Sequence, residues 1–409
     1  MFRRAAVCLA LLVPACRGEH RPDASAPRDA TARVDVAPEA TVPDASVPED
    51  VAPEDAAPAP RRVVVTLTGD VMLHRSVIDT FEEHATQGGL AWSLNWLSPL
   101  VTAREVALTF LDSPLTDAYR APFTGVPPGL GVPRAMARTV ARDLARVGLD
   151  GVCLATHHAY DQMGDGLGET AEILRGARLG VAGAGASEDE AWAPWVTERE
   201  GVRVAFVCFT QRVQMAAGRN AAHATVAQAL DSERAARALA DARTRADVVV
   251  AGVQWNRAPF RPLAEEQRQL ARQLVEAGAD VVVGSGMVAQ GAVEKVASPR
   301  GDALIVWSIG SLLSGYGAQW RGLRNPPPAG ADRLMWDAST RDALLLRAQF
   351  DLGDPAHLSL VTLTANALWM QRSEGVRVVP LREVLDIDLR EARARAVAQA
   401  VGPDVRIRQ

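Results

Sequence analysis

Val63-Val64-Val65-Thr66-Leu67-Thr68-Gly69-Asp70-Val71 begins the part of the chain that has the composition of a folded domain. Its β-branched residues favour a strand, and its unbroken run predicts a strand that is buried on both faces. Gly69-Asp70 is typical of the end of such a strand. Similar runs predict further strands at residues 106–111, 151–155, 202–209, 246–253, 279–284 and 303–309.

Helical segments lie between these predicted strands. The clearest covers residues 263–277, where Leu263, Leu270 and Leu274 recur at helical spacing and Gly278 follows, as expected at the end of a helix. The other predicted helices cover residues 133–147, 166–178 and 226–244. Because strands and helices alternate, the sequence predicts a layered α/β fold.

The pattern changes after residue 311. Residues 315–337 are rich in Gly, Pro and Trp and are predicted to form a long loop. Residues 343–352 and 358–370 are predicted strands that would pair antiparallel, and a helix over about 381–400 closes the chain.

Composition limits the classes of function. The chain has 409 residues, 48% of them hydrophobic, and a formal net charge of −5. This length is sufficient for one large domain or two smaller ones, and the charge gives no support to a nucleic-acid partner. Cys153 and Cys208 lie in predicted buried strands, and the sequence leaves open whether they form a disulfide.

The N-terminal residues have the features of an export signal. Two arginines precede an apolar run over residues 5–13, which is too short to span a bilayer. The small residue before Cys16 resembles a bacterial lipobox, whose cysteine is lipidated after cleavage; a secretion signal cut nearby is the alternative. We therefore expect a lipoprotein signal peptide over residues 1–16. Arg17 is not the Asp that commonly retains lipoproteins in the inner membrane, so an outer-membrane lipid anchor in the bacterial cell envelope is favoured.

A polar segment follows the predicted signal. Residues 21–60 contain 8 Pro, 11 Ala and 9 acidic residues. Such a segment cannot bury enough apolar surface to offset the entropy lost on ordering. We expect a disordered tether over residues 17–61, a main domain over 62–315, and a closing segment of the same domain over 316–409.

Polar side chains with ligand chemistry follow several of the predicted strands. In α/β proteins functional groups cluster at strand ends, and carboxylates with imidazoles there suit a metal centre. Each residue alone is also compatible with a helix cap, a turn or simple packing. The residues are Asp70, His74, Arg75, Asp112, His157, His158, Asp161, Gln254, Asn256 and Ser285.

The order of these segments resembles the CapA family of poly-γ-glutamate capsule synthesis proteins. Residues 68–75, Thr-Gly-Asp-Val-Met-Leu-His-Arg, are similar to the family's opening Gly-Asp-Val-Met-Leu-Gly-Arg. Residues 148–185 resemble its block of a strand, Asn-Asn-His-Ala, an Asp, a helix and a Gly-rich turn. Further similar blocks are 110–115, 247–256, 266–284 and 305–312. The resemblance covers about 62–315 and implies a calcineurin-like metallophosphoesterase fold, a four-layer α/β/β/α sandwich.

The chain departs from the metal-site pattern that the resemblance implies, which is Asp, Glu, Asn-Asn-His, His-Trp-Gly and His-Pro-His. Asp70 is kept, Asp112 replaces the Glu, and His158 is the kept His of the triplet. Three other histidine positions are replaced, one of them by Gln254. We therefore expect Asp70, Asp112, His157 and His158 to hold at most one divalent ion (Mn, Zn or Mg), and to hold it weakly.

These departures favour a CapA-like protein without catalysis, which binds an anionic envelope polymer or a capsule-assembly protein in the same cleft. The alternative is an active hydrolase or transferase on a phosphoester or γ-glutamyl bond, with His158 as general acid or base and Asp161 orienting it. A surface scaffold without a ligand is the third hypothesis. The expected ligand-binding residues are His74, Arg75, Gln254, Asn256, Arg257 and Ser285.

Overall fold

The computed structural model describes residues 61–117, 134–214, 225–227, 232–256, 260–354 and 357–408. The predicted signal peptide, Cys16, Arg257 and nearly all of the predicted tether lie outside the described residues. Within these ranges, no helix has the length and apolar character needed to cross a membrane.

The elements follow one another in the order that the sequence pattern predicts. The strands are β1 (Arg61–Val71), β2 (Glu105–Leu111), β3 (Gly151–Cys153), β4 (Gly180–Ala182), β5 (Ala184–Gly185), β6 (Trp195–Arg199), β7 (Val202–Thr210), β8 (Thr225–Val226), β9 (Val248–Gln254), β10 (Val281–Ser285), β11 (Val293–Ser298), β12 (Gly301–Val306), β13 (Ser311–Leu313), β14 (Asp342–Asp354), β15 (His357–Gln371), β16 (Arg377–Pro380) and β17 (Arg406–Arg408). The α-helices are α1 (Arg75–Glu83), α2 (Leu90–Leu94), α3 (Arg134–Arg146), α4 (Met163–Gly176), α5 (Glu188–Trp192), α6 (Ser232–Arg245), α7 (Glu265–Glu276), α8 (Arg333–Trp336) and α9 (Ile387–Val401).

Two sheets contain most of the strands. The first has the order β4-β3-β2-β1-β14-β15, with β13 beside β1 and with β16 and β17 beside β15. The second has the order β12-β10-β9-β7-β6, with β11 beside β12. A register pair between Gly301 and Leu358 links the two sheets. Strands β1 to β4 are parallel, as are β7, β9, β10 and β12, so each set brings its carboxyl ends to one edge.

Alternate residues of β7 show that the two sheets pack face to face. Phe206 and Cys208 belong to the buried core of the first sheet, and the ring of Phe206 lies edge-on to Phe110 of β2 with 6.5 Å between centroids. Val207 and Phe209 point the other way, into a second core with α6 and α7. Helices α3 and α4 contribute buried residues to the first core. The layers are therefore helix, sheet, sheet and helix, and the predicted four-layer α/β sandwich is confirmed.

Most of the predicted elements are present. The seven buried runs form β1, β2, β3, β7, β9, β10 and β12, and the two late strands form the antiparallel pair β14 and β15. Gly278 follows the C-cap of α7 and has φ +116°, a conformation that favours glycine after a helix. Cys153 and Cys208 are buried free thiols.

Two predicted helices begin later than expected. The sequence predicts a helix from residue 226, but Val226 lies in β8, where its N–H donates to the Tyr160 hydroxyl at 3.1 Å. The sequence predicts the closing helix from about residue 381, but α9 begins at Ile387. The reason is local: the Asp386 side chain caps this helix by accepting a hydrogen bond from the Leu389 N–H at 3.0 Å.

Candidate functional site

Two carboxylates lie side by side at the carboxyl ends of β1 and β2. Asp70 is near the end of β1 and Asp112 directly follows β2, with 2% and 3% of their surfaces exposed. The strands pair in parallel at Val71 and Leu111, and the Asp112 N–H donates to the Val71 carbonyl at 3.0 Å. The site therefore begins with two neighbouring acids that are removed from water.

The Asp70 carboxyl is held by donors from the second sheet. The Ser285 hydroxyl at the end of β10 donates to Oδ1 at 2.5 Å, and the Gly286 N–H donates to Oδ2 at 3.3 Å. Burial, and after it the charge of Asp112, raise the pKa of Asp70 from 3.8 to about 7. Near neutral pH this carboxyl is therefore protonated in a large fraction of the molecules.

Asp112 is held in a similar way. The backbone N–H of His158 donates to Oδ1 at 2.9 Å, and the Gln254 amide donates from Nε2 to Oδ2 at 3.1 Å. Gln254 lies beside Ser285 in the register of β9 and β10, so neighbouring strand ends of the second sheet each bind one acid of the first. The carbonyl oxygen of the Gln254 side chain is buried and has no hydrogen-bond partner among the described residues.

His158 and Asp161 form a hydrogen-bonded pair next to these acids. His158 Nδ1 lies 2.6 Å from Asp161 Oδ2, and the two side chains are 13% and 0% exposed. Burial opposes a charge on the ring, but Asp112 and Asp161 outweigh it and raise the pKa of His158. The His157 ring lies edge-on to His158 with 5.0 Å between centroids, and burial followed by the charge of His158 lowers its pKa.

His74 and Tyr316 lie at the same strand ends. The Gly315 N–H donates to His74 Nδ1 at 2.9 Å, so the proton of the neutral ring is on Nε2. Burial, and then the charge of His158, lower the pKa of His74 to about 4. The rings of His74 and Tyr316 are 4.8 Å apart, and burial with the charges of Asp112 and Asp70 raises the pKa of Tyr316. Both side chains are neutral at pH 7.

The sequence did not single out Tyr316. It follows β13, which pairs with β1 at Asp70, so this pairing brings the start of the long loop to the site. The Arg372 guanidinium holds that segment by donating to the carbonyls of Ser314 and Tyr316 at 2.7 and 2.9 Å. The sequence feature that could have indicated Tyr316 is an aromatic residue between two glycines, shortly after a strand.

The predicted metal ligands do not form an ion site in this arrangement. Among the residues that the structure describes, no three His, Cys, Asp or Glu side chains are placed to hold a metal ion. Asp70 and Asp112 instead accept hydrogen bonds from the chain itself, and His158 Nδ1 is directed at Asp161. Among the described residues, the side chains of Asp70, Asp112, His157 and His158 are therefore not gathered as the ligand set of a divalent cation.

The predicted ligand-binding residues separate into two groups. His74, Gln254 and Ser285 are part of the cluster described above. Arg75 is 65% exposed on α1 and pairs with Asp79 of the same helix at 2.7 Å. Asn256 is exposed, and its backbone N–H donates to the Gln211 side chain at 3.0 Å. The remaining predicted residue, Arg257, lies outside the described residues.

These features define a class of protein: an α/β sandwich whose polar strand ends, contributed by both sheets, meet in one hydrogen-bonded cluster. The chain belongs to the bacterial capsule synthesis protein PGA_cap family, whose model matches residues 64–316. This match confirms the resemblance to the capsule synthesis proteins. A comparison with curated protein sequences finds no match.

Several solved structures are similar to the chain at low sequence identity. One is a hypothetical protein from Thermus thermophilus, at 15% identity and a TM-score of 0.39, covering 75% of this chain and 98% of that one. A phosphatase from Mycoplasma pneumoniae has 10% identity and a TM-score of 0.41, covering 77% and 95%. The NAD nucleotidase of Haemophilus influenzae has 9% identity and a TM-score of 0.41, covering 85% and 64%. These names describe those proteins alone.

Proposed function

We propose that this chain serves capsule synthesis by binding an anionic cell-surface polymer, such as poly-γ-glutamate, beside the strand-end cluster without metal-dependent catalysis. The observation that supports this most directly is the state of the two acids. Asp70 and Asp112 accept hydrogen bonds from Ser285, Gly286, Gln254 and His158, so each of their four carboxylate oxygens already has a donor from the chain itself.

Cationic groups next to these acids support a polyanionic ligand. The raised pKa of His158 favours its charged form, and Arg212 lies close enough to lower the pKa of His157. Arg212 is exposed, and its side chain forms no ion pair with the described residues. An exposed guanidinium without an ion-pair partner among the described residues is suited to bind a carboxylate of the polymer through two parallel hydrogen bonds.

The binding experiment uses the purified chain and a fluorescently labelled poly-γ-glutamate oligomer, titrated by anisotropy with and without EDTA. We expect saturable binding that EDTA leaves unchanged and that weakens with salt. Arg212→Ala should weaken it roughly tenfold, the loss expected for one charge-assisted hydrogen-bonded contact. Arg237→Ala is the control, because Arg237 is an exposed arginine on α6, whereas Arg212 lies in the loop after β7. Equal affinities of the two variants, or binding that EDTA abolishes, would overturn the proposal.

A second candidate function is acid–base catalysis without a metal, in a hydrolase or transferase. The observation that favours it is the pair of His158 and Asp161, since a buried carboxylate that orients an imidazole is an arrangement used for proton transfer. The test is hydrolysis of phosphoester and γ-glutamyl substrates in EDTA by the parent and by His158→Gln. Turnover that is lost in the variant supports catalysis. If the chain shows neither polymer binding nor turnover, the hypothesis of a surface scaffold without a ligand remains.

The location in the cell is part of the proposal. Cys16 would carry a lipid anchor that holds the chain at the outer membrane, and residues 17–61 would let the domain reach a surface polymer. Metabolic labelling with a fatty acid tests this. Label in the parent that is absent from Cys16→Ser supports the anchor, and an unlabelled parent contradicts it.

A further inference from the structure

A cavity of about 270 Å³ lies beside the last strands of the first sheet, apart from the strand-end cluster. Its walls come from β15, β16, the 3-10 helix Leu381–Glu383, α9 and β17. The lining residues are Asn366, Ala367, Pro380, Leu381, Arg382, Arg390, Glu391, Ala394, Ile407 and Arg408.

The floor of this cavity is apolar. Ala367 and Leu381 are buried in the main core, and Ala394 and Ile407 pack against that core from the wall. A ligand that fills the floor therefore needs an apolar body, because a small inorganic anion would lose its water there without gaining polar partners.

One polar group in the floor has a fixed orientation. The Asn366 side-chain oxygen accepts a hydrogen bond from Arg347 Nη1 at 2.6 Å. Because this bond fixes the amide, its NH₂ group is directed away from Arg347, and it has no hydrogen-bond partner among the described residues. The Asn366 side chain thus offers a hydrogen-bond donor to a ligand on the floor.

The rim of the cavity is positively charged. Arg390 and Arg408 form no ion pair with the described residues, and Arg382 pairs with Glu383 at 3.2 Å. The one acid of the lining, Glu391, pairs with Arg395 at 3.4 Å. The charge of Arg408 also acts on the buried Arg347 below it, and a bound anion would reduce this repulsion.

We propose that this cavity binds a small organic carboxylate. Its apolar body would lie on Ala367, Leu381 and Ile407, and its carboxylate would accept hydrogen bonds from Arg390 and Arg408. The volume is at the lower end of small-molecule sites, which limits the ligand to a compact molecule. This proposal does not depend on the function proposed for the strand-end site.

The experiment compares matched probes by calorimetry on the purified chain. Hexanoate has both an apolar body and a carboxylate, hexylamine and hexanol have the same body without the anion, and acetate has the anion without the body. We expect saturable binding of hexanoate alone, at high micromolar to millimolar concentration. Equal binding of hexylamine or hexanol, or no binding of any probe, overturns the proposal.

Variants then locate the bound anion. Arg408→Ala and Arg390→Ala should each weaken hexanoate binding roughly tenfold, since each removes a charge-assisted hydrogen bond. Arg237→Ala is the control, because Arg237 is 68% exposed on α6 and neither it nor its partner Glu233 lines the cavity. Circular dichroism verifies that each variant is folded. Unchanged affinity in both cavity variants shows that hexanoate binds elsewhere and refutes the assignment.

Discussion

Replacing Asp70 by Asn removes a carboxyl whose pKa is about 7 in the folded chain and 3.8 when it is exposed to water. The folded state therefore binds this proton more tightly than the unfolded state. Below the unfolded pKa the carboxyl is protonated in both states and does not affect stability. Between 3.8 and about 7 the parent loses stability as the pH rises, and above about 7 the whole loss is present.

The magnitude follows from the two pKa values. Their difference corresponds to about 4 kcal/mol of lost stability above the folded pKa. Asn avoids this loss, but its NH₂ group cannot accept a hydrogen bond where one carboxylate oxygen did. That forfeits one bond, from Ser285 or Gly286, worth about 1 kcal/mol. We expect Asp70→Asn to raise the free energy of unfolding by about 3 kcal/mol at about pH 8, and to give no gain at about pH 4.

Urea unfolding followed by tryptophan fluorescence across this pH range measures the difference. Asp302→Asn is a control for which the expected change in stability has the opposite sign. Although burial raises the pKa of Asp302, hydrogen bonds from Lys295 and the Leu360 N–H outweigh it and lower this pKa. The control should therefore be less stable than the parent near neutral pH, with a difference that shrinks as the pH falls. A destabilised Asp70→Asn at about pH 8 would refute the reasoning, since a bound cation would require the ionised carboxylate.

Two further predictions concern the same strand ends. Asp161→Asn removes a carboxylate that raises the pKa of His158, so NMR titration of the His158 ring should show a lower pKa than in the parent; an unchanged value would mean that the pair does not form in solution. Gly69→Ala would place its Cβ 2.3 Å from the Gly310 carbonyl oxygen, and urea unfolding should show a loss of about 2–3 kcal/mol. In the control Gly353→Ala the Cβ meets nothing within 4 Å, and equal losses in the two variants would contradict the steric argument.

The order and type of the elements were predictable because buried strands and amphipathic helices have local signals. The meeting of Asp70, Asp112 and His158 was predictable for the same reason, since each lies at or after the carboxyl end of a strand and these strands end at one edge of a sheet. The position of Tyr316 at the site was not predictable, because it depends on the pairing of β13 with β1, which is distant in the sequence. Long-range pairing of this kind leaves no periodic pattern in the sequence.

The chemistry of the strand ends was less predictable than their position. The identity of a residue indicates which ions it could bind, but a carboxylate acts as a ligand only if a lone pair of its oxygens faces the ion. In the structure a serine, a glutamine and two backbone N–H groups bind those oxygens. The direction of a side chain depends on neighbours from both sheets, and the sequence of one strand end does not contain that information.

The replacements at Ser285 and Gln254 are physically consistent with each other. The resemblance to the family implies histidines at both positions, and both side chains donate to one of the two acids, Asp70 or Asp112. Two buried carboxylates without an ion would repel each other and lack partners, and these donors with one bound proton remove that cost. A single histidine at this position, as in Gln254→His, would remove the hydrogen bond that Gln254 donates to Asp112 and would add one possible metal ligand without the other ligands that an ion needs. A metal centre would therefore require several simultaneous changes, and this supports a site that uses hydrogen bonds and charge rather than a metal.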